Sequence, residues 1–102
     1  MTKIMNLPEF RAFCEDSGMR RFYYNSSNDC EDGAFCISVS FPRPTVIPGA
    51  RSVCFSEGEG NRMLIGDISR VVYTETGAGI KRIAFERAGG NGAAVRVTFH
   101  VL

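Results

Sequence analysis

Four cysteines (Cys14, Cys30, Cys36, Cys54) and a lone His100 are the side chains best suited to metal or nucleophilic chemistry. Zinc sites usually announce themselves as close ligand pairs such as Cys-x-x-Cys, because two thiolates must reach one tetrahedral ion. No such pair occurs, and only His100 could complete a mixed site, so no metal is expected. A nucleophilic cysteine needs an electropositive setting that lowers its thiol pKa. Cys30 lies between Asp29 and Glu31, which raise it instead. Cys14, Cys36 and Cys54 read as small buried hydrophobes. His100 could act as a base for Cys or Ser, but no Gly-x-Ser-x-Gly turn accompanies it. The carboxylate pairs in the acidic stretch Asp29–Asp32 and around Glu57-Gly58-Glu59 both fall at expected loop tips. The chain is therefore not expected to be an enzyme, and no catalytic residue or cofactor is assigned.

Two other patterns invite a ligand and fail on spacing. The triplets Gly58-Glu59-Gly60, Gly77-Ala78-Gly79 and Gly90-Asn91-Gly92 suggest phosphate loops. A dinucleotide fingerprint requires Gly-x-Gly-x-x-Gly between a strand and a helix, whereas each triplet here separates two runs of alternating apolar and polar residues. The acidic stretch resembles a calcium loop, which needs a carboxylate at its twelfth position. Counted from Asn28, that position is Val39, and the third is Cys30. Hairpin tips account for both patterns.

The elements that position these residues follow from periodicity. Pro8 favours a first helical turn, Glu9 suits the positive end of the helix dipole, and Phe10, Phe13 and Cys14 form one apolar stripe before Gly18. This predicts a short helix over Pro8–Asp16, docked through Phe10 and Phe13. Met19–Ser26 and Phe35–Phe41 alternate as strands. Their pairing through a four-residue loop, Asp29–Asp32, sets Phe22 and Tyr24 against Ile37 and Val39. Pro42–Ala50 holds three prolines and reads as an extended connection that crosses between sheet edges. From Ser52 onward a β-meander is expected. Loop length and alternation agree only when Phe55 pairs with Met63, Tyr73 with Ile83, and Phe85 with Val97, since a slip of one residue would invert a whole strand. Three-residue hairpin loops tend to end in a left-handed residue, which suits a glycine at the third position. Gly66-Asp67 breaks the alternation and predicts a corner or bulge.

The fold class expected is α+β, mostly β, in one domain spanning 1–102. A short N-terminal helix precedes about six antiparallel strands, which form a curled sheet or small barrel. With 44% hydrophobic residues and eight Phe in 102 residues, an apolar core needs no metal or disulfide staple. The stretch Met63–Val71 and the paired strands after it resemble the middle of bacterial PH-like domains. That fold ends in a helix, whereas this chain ends in a strand with its helix in front, so the family is not assigned.

The same register exposes a candidate surface. Arg70, Val72 and Thr74 fall opposite Glu86, Ala84 and Arg82, and these fall opposite Arg96, Thr98 and His100. Glu86 should thus lie between Arg70 and Arg96, and Arg82 beside His100. Cross-strand charge pairs contribute about 0.2–1 kcal/mol each, so a merely solvated face is one reading. The sharper reading is a patch of Arg70, Arg82, Arg96 and His100 for an anion or a partner's carboxylates. Net charge is only +1, from twelve basic and eleven acidic residues, which argues against nucleic acid as the partner. No apolar stretch suits a signal peptide or a membrane span, and a cytoplasmic location follows as an expectation. The function expected is a small binding or assembly module acting through a sheet face or edge strand, with a protein partner or self-association. The alternative is a binder of a small molecule or anionic headgroup in a PH-like or barrel scaffold.

Overall fold

The computed structural model of the chain describes residues 1–25, 38–88 and 94–101. Its helix, α1, begins at Asn6 for an identifiable reason. The Asn6 side chain accepts a hydrogen bond from the Glu9 N–H (2.8 Å) and the Glu9 carboxylate accepts one from the Asn6 N–H (3.1 Å). This reciprocal box satisfies two donors that the first turn would otherwise leave unpaired. Gly18 ends the helix at φ 69°, so α1 runs Leu7–Ser17, one residue longer at each end than expected. No helix among the described residues is long and apolar enough to cross a membrane.

Nine strands are found among the described residues: β1 (Thr2–Met5), β2 (Phe22–Asn25), β3 (Ser38–Phe41), β4 (Thr45–Ile47), β5 (Ser52–Glu57), β6 (Asn61–Ile65), β7 (Ile68–Glu75), β8 (Lys81–Ala88) and β9 (Ala94–Val101). They form two antiparallel sheets, one of six strands ordered β1-β7-β8-β9-β2-β3 and one of three ordered β4-β5-β6. The α+β, mostly β class is thus present, without a closed barrel, and the expected continuous meander is divided between the two sheets. The division falls at Gly66-Asp67, where alternation breaks. Asp67 takes φ 54°, and an extra residue, Ser69, bulges between the Ile68↔Arg87 and Arg70↔Glu86 pairs. The proline-rich connection does cross between sheets, but it contains β4, which is too short to show alternation. The same brevity hides β1 in the sequence.

All three hairpin registers of the C-terminal half are as expected, with Phe55↔Met63, Tyr73↔Ile83 and Phe85↔Val97 among their pairs. Two details differ. In β2–β3, Phe22 pairs with Phe41 and Tyr24 with Val39, a shift of two residues from the expected register. A two-residue slip keeps every side chain on its own face, so alternation could not distinguish the two; the observed one places Phe41 in the core. In the first triplet the left-handed residue is Gly58 (φ 66°), at the start of the loop, whereas the second uses Gly79 (φ 82°) at its end. With glycine at both ends of a triplet, either can take the strained conformation. The third triplet, the Asp29–Asp32 loop, Phe35 to Ile37, and Cys30 lie outside the described residues.

The core lies between the two sheets and under α1. Phe55 projects from the three-stranded sheet and stacks on Phe99 at 4.4 Å. It also meets Phe22, Phe41 and Phe85 at 5.6, 5.5 and 5.9 Å. α1 docks on the same side through Phe10 against Phe85 and Phe13 against Tyr73, the two contacts its sequence stripe required. A clamp closes one end, where Arg21 donates to both carboxylate oxygens of Glu57 (2.9 and 2.7 Å) and to Ser40 Oγ (2.9 Å). Cys14 is buried as expected. Cys54 is not in the core: it is half-buried and pairs with Thr45 and Leu64, on the side of its sheet away from Val53 and Phe55.

Candidate functional site: the open face of the large sheet

Strand alternation sends Val71, Tyr73, Ile83, Phe85 and Phe99 inward, so their immediate neighbours form the outer face of the six-stranded sheet. The helix and the smaller sheet both pack on the inner side, and no described element covers the outer one. Three rows cross it. Arg70, Glu86 and Arg96 form the first, Ile4, Val72, Ala84 and Thr98 the second, and Thr74, Arg82, His100, Tyr23 and Ser40 the third.

In the first row, Glu86 is the organising residue. Its side chain is only 9% exposed, because two arginines lie over it. Arg70 contacts Glu86 Oε1 through Nε, and Arg96 donates to Oε2 at 2.8 Å. Hydrogen bonds from Arg70 and then Arg96 hold the Glu86 carboxyl down at about 2, against an ordinary value of 4.5. The same bond raises the Arg70 pKa. The strand beneath is pinned by Ser69 Oγ, which donates to the Glu86 carbonyl at 2.9 Å and thereby fixes the bulge. Both arginines remain about half exposed and keep donors that Glu86 does not use.

The third row differs. Arg82 is exposed and, among the described residues, makes no hydrogen bond or ion pair. Its cross-strand neighbour is His100, whose other neighbour is Tyr23 on β2. Four residues along β8 separate Arg82 from Glu86, or about 13 Å at the usual strand rise. The four residues singled out from sequence are therefore two groups: Arg70 and Arg96 bound to a common carboxylate, and Arg82 beside His100. Tyr23 belongs with the second group. Its outward direction was legible from alternation, but its place beside His100 was not, because β2 pairs with β9 across most of the chain.

Among the described residues, no three metal-type ligands come together. The two side chains paired across from His100 are a cation, Arg82, and a phenol, Tyr23. No family model, curated protein or solved structure matches the chain.

Proposed function

We propose that the protein is a small binding module whose working surface is the open face of the six-stranded sheet, and that this face takes an acidic protein segment. The observation that supports this most is Arg82, exposed and unpaired among the described residues, with His100 and Tyr23 beside it. A free guanidinium fork matches a carboxylate with two parallel hydrogen bonds. Tyr23 adds an amphipathic contact of the kind enriched at interfaces. Arg70 and Arg96 add positive charge that the single Glu86 only partly neutralises, so the field over the face favours an anionic partner. An open sheet face also suits an extended chain better than a small molecule, which needs concavity.

The test is fluorescence anisotropy with a labelled octaglutamate peptide at low salt. Wild type binds, and Arg82→Ala weakens binding by about tenfold, the scale expected for losing a hydrogen bond to a charged group. Unchanged binding in both Arg82→Ala and Arg96→Ala refutes the proposal. A second mode, self-association by edge pairing, draws support from Ile4 on β1 (58% exposed) and Leu64 on β6 (65% exposed), both on terminal strands of their sheets. Light scattering after size exclusion decides it: a dimer supports the mode and a strict monomer removes it.

A further inference from the structure

On the inner side of the large sheet, where α1 meets the chain entering β4, a cavity of about 370 Å³ is lined by Arg11, Cys14, Glu15, Arg43, Pro44, Thr45 and Val46. We propose that this cavity binds a small organic monocarboxylate, with its carboxylate on Arg43 and a short apolar body against Cys14, Pro44 and Val46. The site is separate from the open face and does not depend on it.

Arg43 is exposed, but its Nε donates to the Met19 carbonyl at 3.0 Å. Met19 is itself part of the core, so the guanidinium is anchored at one edge. Its two terminal nitrogens have no protein partner among the described residues, and they form the edge that receives a carboxylate bidentately. The floor is apolar in effect as well as in composition. Burial pushes the Cys14 thiol up to about 12, so it stays neutral and does not compete with a ligand for Arg43. The rim sets the charge of the ligand. Arg11 is already paired with Glu15, one helical turn away at 3.6 Å, and the Glu15 carboxylate disfavours a multiply charged anion. The volume lies at the small end of ligand sites, which limits the apolar body to a few carbons.

The test titrates the full ¹⁵N-labelled chain with sodium butyrate, and in parallel with 1-butanol and inorganic phosphate, at constant ionic strength. Butyrate should give saturable shifts at the Cys14, Thr45 and Val46 amides and at Arg43 Nε–Hε, while neither control saturates there. Arg43→Gln should weaken butyrate by about tenfold or more, equivalent to 1.4 kcal/mol, and Arg62→Gln on β6 should leave it unchanged. Should Arg43→Gln lose its dispersed spectrum, Arg43→Lys, which keeps the charge without the fork, is expected to weaken butyrate in its place. The proposal is overturned by no saturable shift in wild type, by an equal response to butanol or phosphate, by shifts confined to the Arg82 face, or by unchanged affinity in the folded Arg43 variant.

Discussion

Replacing Phe55 by alanine removes the ring that joins the two sheets. Phe55 is fully buried and touches four other phenylalanine rings, one of them stacked at 4.4 Å. Truncating a buried Phe costs about 3–5 kcal/mol through lost transfer energy and the cavity left behind. The aromatic contacts are lost as well, at about 0.5–1.5 kcal/mol for a pair, which places Phe55→Ala near the upper end. A domain of this size has about 5–15 kcal/mol of stability in all. One substitution should therefore remove a third or more of it. Urea unfolding followed by circular dichroism should show a lower midpoint with an unchanged slope, and Phe55→Leu should lie between the two. Hydrogen exchange should show β5 and the β8–β9 pair losing protection together, because one cluster serves both sheets. A loss below about 1.5 kcal/mol, or faster exchange confined to β4–β6, would refute the role given to Phe55.

Three further outcomes follow from local geometry. Glu86 titrates at about 2 in the fold against an ordinary 4.5, so the unfolded chain takes up its proton first as pH falls. The stability advantage of wild type over Glu86→Gln should be constant above pH 4.5, shrink between 4.5 and about 2, and vanish below, as read from paired thermal melts. Asn6→Ala removes one half of the capping box and should cost about 1 kcal/mol in urea unfolding; no measurable cost would contradict the cap. Gly58→Ala forces alanine into the left-handed region and should cost about 1–2 kcal/mol, while Gly60→Ala should cost under about 0.5 kcal/mol. The reverse order would place the left-handed residue at the other end of the loop.

What could be read from the sequence was local and periodic. Alternation and the spacing of the glycine triplets were enough to set Phe55 opposite Met63 and Arg82 opposite His100, because a one-residue slip would expose a whole apolar set. Glu86 between two arginines followed from the same arithmetic. Non-local pairing was not legible. Nothing in Thr2–Met5 marks it as the strand beside β7, and nothing in Phe22–Asn25 announces β9 as its neighbour, so the sequence alone does not place Tyr23 in the patch. The split into two sheets was visible only as an interruption at Gly66-Asp67, since a corner and a change of sheet look alike in one dimension. The Arg43 cavity was hidden for the same reason: its walls come from α1 and β4, which meet only in the folded chain.

The central claim, that the open face of the large sheet takes an acidic partner, is tested most directly by mapping where an acidic chain binds. Titrating the ¹⁵N-labelled protein with octaglutamate should shift Tyr23, Thr74, Arg82 and His100 first and Arg70 and Arg96 next. Raising salt should reduce every shift, as screening requires. Shifts centred on α1 or on the outer side of β4–β6, or shifts insensitive to salt, would contradict it.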